Sequence, residues 1–546
     1  MSTVLFSLPC LCPKLSGIIA VVWMQGDTAI MSESNGSRGV STKKAALTIM
    51  VITVASKVVG FARDLALSYF YGAGSTSDAY LISIAIPGSI FSFIAAGLAA
   101  GYVPMYTRIS QEQGNKSADR FTNNLVNVLL AVCTVIVLIV LAFAGPIVRV
   151  FASGFEGETL DLAVKLTKMT ILSVYFAGLV SVFSGYLQIK GNFAIPASVG
   201  FPMNFFVILS IVLSSRMGNA EILGIGYIIS MASQFILFIP FLKGQGYKHT
   251  GAFDLKDEHV LSLARIMLPL IIGSSINQIN VFVDRTMASR LAVGGISALN
   301  YADKVNSFPL GLFALPIATA LYPAISQMAA EKDMPRFKKS LSEAVTSINL
   351  FMLPSMIGAM VFATPIVSLL FGRGAFDRSA MHMTSSALFF YSMGMVGYGL
   401  RLLLTKAFHS LQDTITPMIN GAIGAGLNIV LNIALSRYMG ISGLALATAL
   451  SALFTTGLLF VSLRKKIGPF GMKQALIAFF KTLLASAIMG AAGYICYDWL
   501  MSSIGANSAI IISLGVACIA YAISIYFLKI PDVETMLKAV KQRFGL

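Results

Sequence analysis

Long apolar runs recur along the whole chain, parted by short polar or charged segments. A helix needs about 20 predominantly apolar residues to cross the hydrocarbon of a bilayer. Read at that length, the pattern predicts spans at 45–70, 78–107, 122–147, 160–187, 193–215, 222–243, 259–286, 296–327, 341–371, 380–409, 414–436, 441–463, 474–499 and 507–529. The expected fold class is an all-α polytopic membrane protein with about 14 transmembrane helices. Pro87-Gly88-Ser89 and Phe308-Pro309 are expected to break or kink their helices, and Gly97-x-x-x-Gly101 to let two helices approach closely.

Composition agrees. Charged residues make up 11% of the chain and mean hydropathy is +0.81, against about 25% charge in a soluble protein. The net charge of +16 gathers in no basic domain, so nucleic acid is not an expected partner. It collects in alternate loops. Segments around Lys43–Lys44, Arg108–Arg120, Lys190, Lys243–Lys256, Lys332–Lys339, Lys406, Arg464–Lys473 and Lys529–Arg543 are rich in Lys and Arg. The opposite set holds Arg149, Arg216, Arg290, Arg373, Arg378 and Arg437. The positive-inside rule then places both termini in the cytoplasm. The scattered cysteines (Cys10, Cys12, Cys133, Cys496, Cys518) and histidines (His249, His259, His382, His409) form neither a disulfide framework nor a ligand cluster, so no metal is expected.

The chain also repeats. Asp64 and Asp284 lie 220 residues apart (284 less 64), as do Tyr102 and Tyr322, while Pro87 and Pro309 lie 222 apart. An even number of spans per copy makes the copies parallel repeats. Residues 1–42 read as a poorly ordered extension, 43–250 as an N-lobe of spans one to six, and 251–466 as a C-lobe of spans seven to twelve. Two further spans follow over 467–530, and 531–546 reads as a basic amphipathic tail on the cytoplasmic surface.

The chemistry lies in charges inside the apolar spans. Lys57, Arg63 and Asp64 interrupt the first span. A charge at mid-bilayer costs from roughly 3 to above 10 kcal/mol, so it normally faces a partner or a polar cleft. The plainer account is an ion pair between Lys57 and Asp64, seven residues apart on one helix face, that only fixes packing. The second copy adds a stripe of Asn300, Asp303, Lys304 and Ser307, and another of Asn277, Asn280 and Asp284 beside Arg285. Lys57, Arg63, Arg285 and Lys304 facing one low-dielectric cleft would make an anion site, and a diphosphate lipid headgroup is its natural occupant. Asp64, Asp284 and Asp303 would orient the cations.

Several motifs resemble those of the MurJ/MviN family of lipid II flippases. They are Ser56-Lys57-x-x-Gly60-Phe61-x-Arg63-Asp64, Phe70-Tyr71-Gly72-Ala73-Gly74 with Asp78, Tyr301-Ala302-Asp303-Lys304, Phe308-Pro309-Leu310-Gly311, Phe371-Gly372-Arg373-Gly374-Ala375-Phe376-Asp377 and Gln412-Asp413-Thr414. The resemblance implies two lobes of six helices around a central cationic cavity, with two extra C-terminal helices forming a groove for the lipid tail. It also implies alternating access in a bacterial cytoplasmic membrane, and lipid II, the undecaprenyl-diphosphate-linked peptidoglycan precursor, as cargo for cell-wall synthesis. Ser56, Arg63, Asp64, Asp78 and Asp303 keep the family's residues. Lys57 and Lys304 stand where many members have Arg, and Phe91, Ser92, Ala96 and Ser307 where many carry charge.

The alternatives are a flippase for another undecaprenyl-diphosphate oligosaccharide and a drug/cation antiporter of the same superfamily. A membrane glycosyltransferase would need a catalytic carboxylate motif in a large loop. The longest loop, Gly244 to Glu258, offers Asp254, Asp257 and Glu258 without one. No P-loop occurs, so no cofactor is expected, and drive falls to the membrane potential or a coupling cation, Na⁺ or H⁺. The expected state is a monomer.

Overall fold

The structure, a computed structural model, describes residues 36–528, with side chains from Val51 on except 269–277. Most of the expected N-terminal extension, the tail Pro531–Leu546 and the side chain of Asn277 fall outside the described residues. Every described element is a helix. In a bilayer a helix satisfies all its backbone groups internally, which is why the apolar runs fold this way.

In chain order these are α1 Gly36–Tyr71, α2 Ser75–Gln113, α3 Asn115–Ala142, α4 Ala144–Phe151, α5 Gly157–Thr170, α6 Ser173–Ile189, α7 Ala194–Ser198, α8 Gly200–Met217, α9 Glu221–Gly244, α10 Glu258–Leu291 and α11 Gly295–Pro309. A π-helical turn, Leu310–Ala314, follows Pro309. Then come α12 Leu315–Ala330, α13 Met334–Val361, α14 Ala363–Phe371, α15 Arg378–Met393, α16 Met395–Ser410, α17 Ile415–Met439, α18 Ile441–Ile467, α19 Met472–Ile504 and α20 Ala506–Leu528. Among the described residues ten helices are long and apolar enough to span a membrane, or twelve when the bent pairs α5–α6 (42°) and α15–α16 (46°) each count as one. The long helices α1 and α10, of 36 and 34 residues, carry the charged stretches and stand outside that count. The interruption expected at Pro309 is there, as the π-turn. The one expected at Pro87 is not a break, because α2 runs on through both Pro87 and Pro104.

The chain forms two compact units. The first comprises Ser37–Tyr301 and Leu370–Met383. Its core holds the fully buried Tyr102, Tyr106, Phe121 and Tyr186. The hydroxyls of Tyr102 and Tyr106 are satisfied by Thr122 (2.9 Å) and Asp119 (2.8 Å). α10 packs along α2 inside this unit. There the small residues of Gly97-x-x-x-Gly101 matter, since a Cβ on either would stand 2.4 Å from Met267 or Leu263. The second unit comprises 302–369 and 384 onward. α13 packs on α19, α17 on α18 and α19 on α20, around a core with Phe337, Leu341, Met395 and Phe408.

One glycine gives a sharp test of the packing. Gly72 has φ +62°, and a Cβ there would meet the carbonyl oxygen of Ala375 at 2.3 Å. A left-handed backbone costs an L-residue roughly 1–2 kcal/mol before any clash is counted. Gly72→Ala is expected to lower the melting temperature of the detergent-solubilised protein clearly. Gly457→Ala, where nothing lies within 4 Å, should leave it unchanged or raise it.

Candidate functional site

The motifs of the first unit meet in a clasp at the end of α1. The backbone N–H of Ala375 donates to the carbonyl of Tyr69 (2.8 Å). Tyr301 donates its hydroxyl to the carbonyl of Gly72 (3.1 Å), as does Ser77 (2.8 Å). Phe371 packs its ring against Tyr301 (5.1 Å between centroids), Phe376 (5.8 Å) and Phe61 (6.3 Å). Gly374, at φ +68°, lies against the Tyr69 backbone where no side chain fits. The motif residues in this clasp are architectural.

Asp78 completes the clasp. It is 1% exposed. Its Oδ2 accepts from the N–H of Gly294 (2.8 Å), and its Oδ1 from the N–H (2.8 Å) and hydroxyl (2.5 Å) of Ser297. These donors lie at the start of α11, where a helix has unsatisfied N–H groups and a positive dipole end. Asp78 is thus a cap supplied from α2. It supports the fold through hydrogen bonds rather than an ion pair.

Arg63 is the charged centre. Its Nε and Nη2 both donate to Oδ1 of Asp64 (3.1 and 2.8 Å). Asp64 therefore pairs with its chain neighbour and not with Lys57, which is exposed on α1. The Lys57–Asp64 pair of the plainer packing account does not form. Arg63 keeps about a quarter of its side chain exposed, at 23%. Its other three N–H donors have no protein acceptor among the described residues. Tyr80 and Tyr227 stand within its electrostatic reach. Ser56 serves packing: its hydroxyl fills the space a side chain on Gly200 would need.

The remaining residues are placed by their helices. Asn280, Asp284 and Arg285 are half-buried on α10, and each is engaged in interactions within the fold. On α11, Asn300 and Lys304 are half-buried, and Asp303 is exposed and also engaged. Ser307 donates to the carbonyl of Lys304 on its own helix (3.3 Å). Sequence reasoning passed over Asn306, which is 2% exposed with an unpartnered Oδ1. In the chain it stands between Val305 and Ser307, off the Asn300, Asp303, Lys304 and Ser307 stripe, and nothing there marks it. On α2, Phe91 packs against the core and Ser92 donates to the carbonyl of Ser89 (2.7 Å), so neither brings charge.

The long loop after α9 is held by three asparagines of α3. Asn123, Asn124 and Asn127 donate to the carbonyls of Lys248 (3.1 Å), Asp254 (2.9 Å) and Ala252 (2.7 Å). Asp254 and Asp257 accept from backbone N–H groups of Lys256 and of His259 and Val260. These two carboxylates are committed to local structure.

In the second unit, Gln412-Asp413-Thr414 forms a cap. Asp413 accepts from the N–H (3.0 Å) and hydroxyl (2.8 Å) of Thr416 and from Lys466 (2.5 Å). Burial pushes its carboxyl up, but the hydrogen bonds from Lys466 and Thr416 and the lysine's charge outweigh it, bringing the pKa from 3.8 to about 2. A depressed folded pKa stabilises above the unfolded value and is lost as pH falls through the folded one. The melting-temperature advantage of wild type over Asp413→Asn should be nearly full above pH 4, shrink from there, and vanish only below about pH 2.

Long apolar helices in two units, with an arginine–aspartate pair inside one of them, define a multi-pass membrane protein of a transporter fold. The structure is similar to an inward-facing multidrug resistance MATE family transporter of the MOP superfamily (TM-score 0.65, 15% identity, 77% of this chain and 98% of that one). A lipid II flippase MurJ solved in an inward closed conformation matches more fully (TM-score 0.75, 25% identity, 88% and 98%). The family model for lipid II flippase MurJ matches residues 67–515. A probable lipid II flippase MurJ of Vibrio cholerae is 30% identical over 460 residues, covering 82% of this chain and 87% of the relative. The chain belongs to the lipid II flippase MurJ family.

Proposed function

We propose that this protein carries lipid II from the inner to the outer leaflet of a bacterial cytoplasmic membrane, by alternating access. Family membership over residues 67–515 supports the cargo. The observation that carries the site is Arg63, braced by Asp64 with three N–H donors to spare. A diphosphate takes such a planar, permanently charged group in bidentate fashion. Lys57 and Arg285, of the same unit, are the further cations for that headgroup, a point charge and a second fork, and Lys304 of the second unit is the remaining candidate cation. Asn280, Asp284, Asn300 and Asp303 line their helices as polar support.

Both termini lie in the cytoplasm on this reading, following the alternation of basic loops. The driving force is the membrane potential, worth about 2.3 kcal/mol per elementary charge per 100 mV. A negative interior pushes an anionic headgroup outward. A coupling cation is the alternative drive.

The uncharged positions Phe91, Ser92 and Ala96 on α2 favour, as a second reading, a different undecaprenyl-diphosphate oligosaccharide. Rescue of a strain depleted of its own lipid II flippase separates the two. Growth restored by this chain is the expected result. No growth, with the protein present in the membrane, transfers the assignment to the second reading.

A further inference from the structure

Away from the motifs, the second unit holds a pocket of about 270 Å³. Its apolar walls come from α13, α16, α18 and the start of α19, through Val345, Leu400, Phe460, Phe470, Ala475 and Phe479. α20 contributes no lining residue, so this is not the groove expected between the last two helices. Ligand pockets run from roughly 300 to 1,000 Å³. This one sits at the small end, with room for a chain segment and not for a glycan.

Two polar groups interrupt the apolar lining. They are Ser342, which is half-buried, and Asn349, which is buried. Asn349 is 3% exposed and its Oδ1 has no hydrogen-bond partner. Its amide presents a donor or an acceptor, depending on a half-turn of the group. The two residues are seven apart on α13, roughly 10 Å along the axis. A polar layer of the bilayer is about 5–8 Å thick on each side of the hydrocarbon. The Ser342–Asn349 spacing is a little longer than that layer, so a phosphate at Ser342 would leave the ester region between the two side chains.

The Ser342 end is basic. Lys338 is one turn before Ser342, and its ammonium stands 3.5 Å from where a Cβ on Gly468 would be. That sets it on the turn carrying Phe470. Lys338 has no carboxylate partner among the described residues. Residues 464–473 contain no acid. Lys466 is engaged by Asp413, while Arg464, Lys465 and Lys473 are exposed. Glu343, beside Ser342, is exposed and engaged elsewhere.

We infer that this pocket holds one anionic phospholipid of the surrounding bilayer. Its phosphate lies on Lys338 and Ser342, an ester carbonyl toward the Asn349 amide, and one acyl chain among the phenylalanines. Charge complementarity selects the anionic lipid, since a zwitterionic one brings no net charge to this rim. The inference goes beyond the flipping reading and does not depend on the cargo.

The test is native mass spectrometry of the full chain in detergent, with phosphatidylglycerol or phosphatidylcholine added at equal concentration. Wild type is expected to retain one phosphatidylglycerol with at least about tenfold preference, the scale of one charge-assisted contact. Lys338→Gln should remove most of that preference, and Ala475→Phe, which fills the pocket, should remove the retained lipid. Equal retention of both lipids, or undiminished retention by Ala475→Phe, overturns the inference. So does retention that requires deletion of Pro531–Leu546, which would assign the pocket to the chain's own tail. If Ala475→Phe does not fold, hydrogen exchange over 468–480 decides. Phosphatidylglycerol should slow it in wild type and phosphatidylcholine should not, and equal rates overturn the inference.

Discussion

Arg63→Ala is expected to abolish rescue of a flippase-depleted strain, whereas Arg63→Lys should rescue partially. The alanine variant loses two things. It leaves the Asp64 carboxylate, 5% exposed, without its guanidinium, and breaking a buried pair costs about 3–5 kcal/mol. It also removes the donors assigned to the diphosphate. The double variant Arg63→Ala/Asp64→Ala separates them. With no orphaned carboxylate it should recover much of the membrane level of the wild type, yet still fail to rescue. Growth restored by the double variant would return the pair to packing. The lysine variant keeps a charge but not the fork, hence the intermediate expectation.

Asp78→Ala should produce the largest loss of stability among single changes in the first unit. Three donors converge on that carboxylate, two of them backbone N–H groups that no rotamer change can redirect. Each buried group left unsatisfied costs about 1–3 kcal/mol, so the three together cost on the order of 3–9 kcal/mol. Ser297→Ala removes one donor and should cost about 1 kcal/mol. Asp78→Asn keeps an acceptor oxygen and should fall between them. Thermal melting in detergent gives the order directly. An Asp78→Ala protein that melts with the wild type would refute the capping role.

The spans were legible because the bilayer imposes both a length and internal backbone hydrogen bonding. Interruptions at Phe143 and Phe362, where α3 and α13 end, were not, since hydropathy averages over a local break. The packing alternative paired Asp64 with Lys57, and the structure pairs it otherwise for a specific reason. Spacing of seven places Lys57 on its face, but the long arginine next door folds back onto the same carboxylate. Asp78 was singled out with its role hidden. Its partners include the N–H groups of Gly294 and Ser297, and a backbone donor more than 200 positions away leaves no mark in a sequence. The family motifs were easy to see and their use was not. In the first unit most of them hold the chain to itself, while Arg63, half-buried and braced by Asp64, keeps three N–H donors without an acceptor among the described residues.

The most direct test of the account is the fraction of lipid II exposed on the outer face of depleted cells expressing this chain. It is read by cleavage with an externally added enzyme that attacks the lipid II diphosphate. The account predicts that wild type restores the cleavable fraction and that Arg63→Ala, at equal membrane level, does not. A cleavable fraction that stays at the depleted level with wild-type protein in the membrane would contradict it.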